Sequence, residues 1–313
     1  MPFRIPRTDP GSVTLTDGGL ETDLIYNAGL DLPDFAAFPL LDDEHGRDAL
    51  AAYFRLAIET AQDAHTPFSL DTVTWRANPD WAARRGYAGP EFERIVRDAV
   101  EFARDLRDQA IDDGARHPIL VCGVIGPRDD GYAPSTLMTA AEAREYHHRQ
   151  IVVFADAGVD YAAAMTIAYP AEAIGIVEAA KAEGLPLAIS FTVETDGRLP
   201  AGQTLRDALA EVDAATDGGA AYFGVNCAHP DHLPAGLDEE WGGRLASYRA
   251  NGSRLSHAEL DALDALDAGD PAELGRLVGE LHRRMPGLTV LGGCCGTDDR
   301  HIRAIADAVL RRD

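Results

Sequence analysis

Cysteine is scarce in this sequence: only four occur among 313 residues. So few cysteines cannot form the disulfide scaffold that small secreted domains use. We therefore expect a reducing, cytoplasmic environment in which the thiols are free for metal binding or chemistry. Two of the four, Cys294 and Cys295, are adjacent in TVLGGCCGTDDRH, where they are poorly placed for a disulfide with each other.

Basic residues are also scarce. Lys and Arg number 28 against 52 Asp and Glu, which gives a formal net charge of −24. This argues against nucleic acid as a partner, because phosphates are bound by neutralising Lys and Arg. An anionic membrane surface is disfavoured for the same reason. The negative charge favours solubility, and it could also attract a cationic substrate; both interpretations stay open.

Long apolar runs are missing as well. No stretch of about 18 apolar residues occurs, so the sequence predicts no membrane-spanning helix. The first residues, MPFRIPRTDPGS, lack the apolar segment of a secretory signal. We expect a cytoplasmic protein with small-molecule substrates and no membrane or nucleic acid partner; a homo-oligomer is left open.

Eight short apolar runs have the length and composition of buried parallel strands. They cover residues 12–19, 66–74, 118–126, 159–167, 186–194, 220–227, 244–251 and 288–295. Amphipathic runs between most of them predict helices at 47–64, 90–113, 140–158, 170–184, 271–284 and 299–312. Gly114, Gly158 and Gly184 follow helical runs, as C-terminal stops do.

This alternation predicts a single-domain (β/α)8 TIM barrel over residues 1–313, with an open doubly wound sheet as the alternative. The lack of a charged linker or a break in composition favours the barrel. The longest insertions are 228–243 and the acidic stretch 256–274. In the latter, Asp261, Asp264 and Asp267 recur at spacing three, which predicts a solvated surface helix and loop.

Three of the cysteines follow predicted strands. Cys227 ends the sixth strand, and Cys294 and Cys295 end the eighth. Functional residues of a TIM barrel lie at the C-terminal ends of its strands, so these sulfurs can converge. Three thiolates without a fourth protein ligand are typical of an open zinc site, and thiolates select zinc over magnesium.

Other interpretations of the cysteines stay open at this point. The three could be core residues, or the adjacent pair could be redox-active. His229 or His232 could instead complete a closed structural zinc site. Cys122 lies in the middle of the run ILVCGV, and we predict that it is a small buried apolar residue.

Four motifs together resemble the homocysteine S-methyltransferase family, which includes betaine–homocysteine methyltransferase and the homocysteine-binding domain of cobalamin-dependent methionine synthase. They are DGGLETDL (17–24), SLDTVTW (69–75), GVNC (224–227) and GGCCGT (292–297). The resemblance implies a (β/α)8 barrel with Zn²⁺ held by Cys227, Cys294 and Cys295. It also implies methyl transfer from a sulfonium, quaternary ammonium or methylcobalamin donor to homocysteine.

The resemblance also assigns roles to residues around the barrel mouth. Asp17 would bind the ammonium of homocysteine, and Asn226 would bind substrate or orient a zinc ligand. The remaining candidates would line the pocket or allow close approach: Gly18, Gly19, Thr72, Thr74, Trp75, Asn251 and Ser253. Turn formation, strand packing and local hydrogen bonds are the structural alternatives for these residues.

One departure from the family pattern concerns the acceptor. Met165 occupies the place of a glutamate that grips the homocysteine ammonium in many members. Losing such a charged hydrogen bond costs about 1.5–3 kcal/mol. Either Glu21 or Glu194 compensates, or the acceptor is a different thiol or a selenol. A second departure puts Val73 where an asparagine is common and Trp75 where a tyrosine is common. Trp75 and the nearby Trp81 could form an aromatic face for a methylated cation, or both could pack in a loop core.

The sequence thus predicts a zinc-dependent thiol S-methyltransferase in methionine biosynthesis. The donor would be S-methylmethionine, betaine or a similar small onium compound, and the acceptor would be homocysteine. The alternatives are an enzyme of the same fold with another thiol or selenol acceptor, and a non-catalytic zinc- or thiol-binding protein.

Overall fold

Eight parallel strands follow one another around a closed barrel, in chain order from β1 to β8. The computed structural model describes residues 5–6, 11–234 and 244–310. The strands are β1 Thr14–Leu15, β2 Phe68–Asp71, β3 Ile119–Ile125, β4 Tyr161–Ile167, β5 Leu187–Phe191, β6 Tyr222–Ala228, β7 Leu245–Ala250 and β8 Val290–Gly293.

Closure is made where β1 pairs with β8. Thr14 lies opposite Val290, and Leu15 lies opposite Leu291. This pairing confirms the predicted (β/α)8 barrel, and the open doubly wound sheet is wrong. Each predicted strand is present, although most are shorter than the apolar runs that predicted them.

The helices lie between successive strands and after β8. They are α1 Leu20–Tyr26, α2 Glu44–Asp63, α3 Pro79–Arg84, α4 Pro90–Asp112, α5 Ala140–Ala157, α6 Pro170–Ala182, α7 Leu205–Thr216, α8 His257–Asp261, α9 Pro271–Arg284 and α10 Asp299–Leu310. All six predicted helices are present within a few residues of their expected ends. Gly158 and Gly184 follow α5 and α6 with positive φ angles of 76° and 66°, as predicted helix stops should.

The acidic stretch 256–274 begins with a surface helix and continues as a loop, as predicted, although the helix is short. Ser256 and Glu259 form a capping box that starts α8, but the helix ends at Asp261. Asp267 lies in the loop that follows and accepts a hydrogen bond from the Ser253 hydroxyl at 2.5 Å. Asp267 also accepts from the backbone N–H of Gly269 at 3.1 Å, and short aspartate side chains compete with the helical backbone through such bonds. In the other insertion, residues 235–243 lie outside the described residues.

Two apolar layers surround the strands. The larger one packs the outer face of the sheet against the helices. The smaller one fills the barrel and includes Leu120, Cys122, Val124, Met165 and Val290. The Cys122 side chain is 0% exposed, which confirms its predicted place in the core.

No helix in the described part of the chain is both long enough and apolar enough to span a membrane.

Gly18 and Gly19 bring the loop after β1 against the segment that carries the adjacent cysteines. A Cβ on Gly18 would lie 2.8 Å from the Thr297 carbonyl oxygen. One on Gly19 would overlap the carbonyl oxygen of Cys294. These glycines therefore allow close contact between two segments of the chain, in addition to any approach of backbone to substrate.

We expect Gly19→Ala to lower the free energy of unfolding by roughly 1–3 kcal/mol, because its methyl group forces these segments apart. Since Cys294 moves with its carbonyl, binding of zinc at the predicted cysteine site should weaken as well. Gly218→Ala is the control: Gly218 has φ +65° and open space around its Cβ position. It should lose comparable stability and retain zinc affinity, as measured by thermal unfolding and competition with a chelator. Equal zinc affinity in the two variants would contradict the expectation.

Candidate active site

Three sulfur atoms meet at the C-terminal mouth of the barrel. The Sγ atoms of Cys227, Cys294 and Cys295 all lie within 4.8 Å of one another. Cys227 comes from β6, whereas the other two follow β8 directly. The structure thus brings together the three cysteines that the sequence singled out, and a single ion between them could contact all three.

An irregularity in β6 places Cys227. The register of β6 against β7 shifts between Asn226 and Ala228. Cys227 lies within this shift and has φ 55°, which is rare for a residue other than glycine. A bulge of this kind turns a side chain away from the regular alternation, and such strain often occurs at functional sites.

Neighbouring side chains donate hydrogen bonds to the sulfurs. The Tyr132 hydroxyl lies 3.0 Å from Cys227 Sγ. Asn251 Nδ2 lies 3.5 Å from the same sulfur, and Asn226 Nδ2 lies 3.8 Å from Cys294 Sγ. These donors orient the sulfurs as outer partners orient metal ligands. For Asn226, the arrangement agrees with the predicted role of orienting a ligand.

The sulfurs also act on one another. Hydrogen bonds from Cys294 and Cys295 lower the pKa of Cys227 well below its ordinary value. A thiolate is therefore favoured at Cys227 even with protons on its neighbours, and thiolates are the form in which cysteine binds metals.

Neither His229 nor His232 belongs to this sulfur cluster. His229 Nδ1 accepts a hydrogen bond from the backbone N–H of Asp231 at 3.2 Å. His232 Nε2 lies 3.0 Å from the carbonyl oxygen of Arg254. The geometry therefore does not support a closed site completed by either histidine.

An inner pocket opens beside the sulfurs toward β1 and β2. Its lining carries three carboxyl groups and one guanidinium: Asp17, Glu21, Asp71 and Arg249. Other lining residues come from the predicted set and its surroundings: Gly18, Gly19, Thr72, Trp75, Tyr132, Met165, Asn226, Cys294 and Cys295.

Arg249 links the acids of this pocket. Its guanidinium donates to the carboxylates of both Asp17 and Asp71, and its Nε donates to the Gly293 carbonyl oxygen at 3.1 Å. All three charged side chains are buried. Asp17 therefore has a protein partner already, which the sequence did not indicate.

Burial raises the pKa of Asp17 to about 7, against the opposing effect of Arg249. Burial also raises the pKa of Glu21 to about 7. Among the described residues, the Glu21 carboxylate has no ion-pair partner. The inner pocket therefore contains three carboxylates for one guanidinium, which favours a ligand with a positive charge.

The wall at β4 has no carboxylate. Met165 lines the inner pocket with an apolar side chain, and its carbonyl oxygen lies 3.4 Å from Trp75 Nε1. Glu21, in contrast, does line the pocket. Of the two acids proposed to compensate for Met165, Glu21 is the one in position.

Four predicted substrate-binding residues do not line the inner pocket: Thr74, Glu194, Ser253, and Asn251, which contacts Cys227 Sγ instead. The Thr74 hydroxyl donates to the Val124 carbonyl oxygen at 2.6 Å within the sheet. Glu194 Oε1 lies 2.8 Å from His257 Nδ1, on the far side of Cys227. Ser253 is buried behind Asn251, whose side chain accepts from its backbone N–H at 2.9 Å. Local hydrogen bonding thus accounts for Thr74 and Ser253, as the structural alternative predicted.

An outer cleft borders the inner pocket and shares Trp75, Tyr132 and Cys295 with it. The rest of its wall includes Tyr26, Trp81, Cys227, Asn251, His257 and Leu263. The two spaces therefore meet at the sulfur cluster.

Trp75 and Trp81 do not form an open aromatic face. The guanidinium carbon of Arg76 lies 4.2 Å from the ring centroid of each. Arg84 lies 4.2 Å from the Trp81 centroid as well. Cations of the protein itself therefore occupy positions that a methylated ligand would need. Of the two alternatives for these rings, the geometry favours packing against the protein's own side chains over an aromatic face for a ligand.

The sequence reasoning missed Asp71, Arg76, Tyr132, Arg249 and His257. A charged residue inside an otherwise apolar strand was an available signal for Asp71 in FSLD and Arg249 in LASYRA. Tyr132 lies in the loop between β3 and α5, where no periodic pattern marks it. His257 stacks on Tyr132 with centroids 4.0 Å apart, a contact between distant loops.

Comparisons with known proteins agree across nearly the whole chain. A family model described as homocysteine S-methyltransferase matches residues 14–309. Homocysteine S-methyltransferase 4 of Zea mays is 26% identical, covering 96% of this chain and 90% of that protein. Selenocysteine Se-methyltransferase of Brassica oleracea var. italica is 24% identical, covering 97% of this chain and 91% of that protein. Betaine–homocysteine S-methyltransferase 1 of Rattus norvegicus is 28% identical, with 97% and 74% covered.

A solved structure has the same fold. The metallated form of the homocysteine methyltransferase MmuM from Escherichia coli aligns with a TM-score of 0.72 at 22% identity, covering 94% of this chain and 96% of that one.

Arg249→Met should lower the free energy of unfolding by about 3–5 kcal/mol, because it leaves two buried carboxylates without their partner. The loss should be larger at pH 8 than at pH 5. Carboxyl groups with raised pKa values stabilise the folded state while protonated, and that contribution is lost as the pH rises through about 7.

Arg244→Met is a matched control, because Arg244 pairs with half-buried Asp213 at 2.7 Å. Its cost should be about 1 kcal/mol or less, with little pH dependence between these values. Urea unfolding at both pH values measures the two variants. If Arg249→Met lowered the free energy of unfolding equally at both pH values, the account would be contradicted.

Proposed function

Because the chain belongs to the homocysteine S-methyltransferase family, we propose that it is a zinc-dependent enzyme that transfers a methyl group from a small onium donor to homocysteine. Family membership confirms the resemblance found in the sequence and the expectation of a thiol S-methyltransferase. The observation that carries the zinc dependence and the site of transfer is the convergence of three sulfurs at the barrel mouth.

The donor set fits zinc. Three cysteine sulfurs within 4.8 Å of one another offer soft ligands from fixed strand ends. No imidazole or carboxylate of the described residues joins them, which leaves a position for a substrate. Zinc bound there would supply the acceptor sulfur as a thiolate at neutral pH, where a free thiol is mostly protonated.

The inner pocket suits the amino group of the acceptor. Asp17 presents a buried carboxylate and Glu21 a half-buried one. Both have raised pKa values, and an ammonium would stabilise their ionised forms. Asp17 would act together with Arg249, which fixes its orientation. Glu21 would supply the charge that Met165 does not. This pocket adjoins Cys294 and Cys295, so the thiol end of the same molecule can reach the sulfur cluster.

The donor would enter through the outer cleft. That cleft meets the inner pocket at Trp75, Tyr132 and Cys295. With S-methylmethionine as donor, a C–S bond forms to the acceptor thiolate while the sulfonium C–S bond breaks. Its electron pair stays on the departing sulfur, and two methionines result. Catalysis then depends on holding both sulfurs in line, which is a task of positioning.

The remaining details are proposals drawn from sequence and relatives. A selenol or another thiol stays the alternative acceptor, supported by the selenocysteine Se-methyltransferase among the relatives. Betaine stays an alternative donor, supported by the betaine–homocysteine methyltransferase. We also propose a cytoplasmic location and a role in methionine biosynthesis.

Cys294→Ser should lose zinc and methyl transfer while the barrel stays folded. Cys122→Ala is the matched control, because Cys122 is a buried cysteine outside the sulfur cluster. It should lose about 1 kcal/mol of stability and keep both properties. Elemental analysis, circular dichroism and a methyl-transfer assay with a panel of thiols and onium donors measure these effects.

Retention of zinc by Cys294→Ser would contradict the metal assignment. Zinc in the wild type without turnover of any acceptor and donor would instead favour the non-catalytic binding protein.

Glu21→Gln should weaken binding of norvaline, which keeps the amino acid head group of homocysteine and lacks a thiol. We expect the Kd for norvaline to rise about ten-fold or more at pH 8, because the variant loses a charged hydrogen bond. At pH 6 the difference should shrink, because the pKa of Glu21 is about 7 and the wild-type carboxyl is then largely protonated. Glu194→Gln is the control and should leave affinity unchanged. Titration calorimetry measures the norvaline affinity of both variants. If only Glu194→Gln binds norvaline more weakly, Glu194 and not Glu21 is the acid that binds the ammonium.

A further inference from the structure

Arg76 has a buried charge with no carboxylate partner among the described residues. Only 9% of the surface of Arg76 is exposed to solvent. Its Nη1 makes one long hydrogen bond of 3.5 Å to the Asp129 carbonyl oxygen, and its Nε has no hydrogen-bond partner. Arginine is almost never buried without a partner, since removing its charge from water costs several kcal/mol.

Nearby acids are engaged elsewhere. The Asp34 carboxylate pairs with Arg85 at 3.5 Å. The Asp130 carboxylate accepts from the backbone N–H groups of Tyr132 and Ala133 at 2.8 and 3.1 Å. Both acids, together with Glu21, attract the Arg76 charge from a distance without pairing with it. The chain therefore provides a favourable field for this guanidinium and leaves its contact partner to be supplied.

Two tryptophans hold Arg76 in place. The guanidinium carbon lies 4.2 Å from the ring centroids of both Trp75 and Trp81. Cation–π contacts of this kind compensate part of the cost of burial and restrict the guanidinium. Arg76 also lines the outer cleft, together with Cys227 and Cys295. A preorganised cation thus lies in the wall of the space that leads to the sulfur cluster.

We propose that Arg76 binds a substrate carboxylate in the outer cleft and so selects substrates that carry both a carboxylate and the reacting sulfur or onium group. This inference rests on the proposed function and narrows it. Carboxylate-bearing donors such as sulfonium or ammonium amino acids and betaines fit, whereas simple alkyl onium compounds lack the required group. The carboxylate can come from the donor or from the acceptor, since both classes carry one.

Matched ligand pairs test this assignment. S-methylmethionine and homocysteine are each compared with their carboxamides, which keep the size and lose the negative charge. One of the two substrates has the carboxylate that contacts Arg76. For that substrate, the amide should have a KM ten-fold or more higher than the acid in the wild type. Arg76→Gln should raise KM for the acid form to the level of the amide, with a smaller effect on kcat. The acid–amide pair whose difference in KM disappears in Arg76→Gln identifies the substrate that supplies the carboxylate.

Arg84→Gln is the control, because Arg84 also lies 4.2 Å from the Trp81 centroid but is exposed and outside the cleft lining. It should leave both acid-to-amide ratios unchanged. Zinc content and thermal unfolding show whether Arg76→Gln is folded, and Arg76→Lys, which keeps the charge, should restore part of the preference.

Calorimetric binding of the same four ligands to the zinc-loaded protein separates the two claims. If the wild type binds acids more tightly than amides and Arg76→Gln does not, this inference holds even where turnover is absent and the proposed function fails. If folded Arg76→Gln keeps the wild-type preference for both acids, the inference is overturned while methyl transfer stands.

Discussion

The site depends on one geometric constraint: sulfurs from β6 and from the segment after β8 must meet at a single point. The strand order places β6 and β8 on either side of β7, and barrel closure pairs β8 with β1, which precedes Gly19. The register shift at Cys227 then turns its side chain toward the mouth. Close packing of Gly19 against the Cys294 carbonyl fixes the other two sulfurs. Neither element alone could gather three ligands, so the chemistry is a property of the closed fold.

Charge is distributed unevenly around the sulfurs, and the distribution gives each space a different preference. The inner pocket holds three carboxylates and one shared guanidinium, so it favours a positively charged group. The outer cleft is lined by Asp34, Asp130, Asp261 and Asp267 as well, so the carboxylate that we propose there depends on local contact with the unpaired guanidinium of Arg76. A zwitterionic substrate could satisfy both, and two zwitterionic substrates could be held with their reactive ends together at the sulfurs.

Sequence patterns could predict the parts of this structure that depend on local periodicity and chain order. Eight apolar runs predicted the strands, and cysteines at their ends predicted the sulfur cluster. Pairings across the barrel were beyond such reasoning: Arg249 joins Asp17 and Asp71, which are 232 and 178 residues away. The two tryptophans illustrate another limit, since their aromatic faces are occupied by Arg76, and sequence gives no measure of such occupancy.

Zinc X-ray absorption spectroscopy tests the central claim most directly, because it counts the sulfur atoms around the metal. The account predicts three protein sulfurs in the zinc-loaded enzyme and a fourth sulfur when homocysteine is added. The fourth should be absent when norvaline replaces homocysteine. A site with a nitrogen ligand from histidine, or a sulfur count that homocysteine does not change, would contradict it.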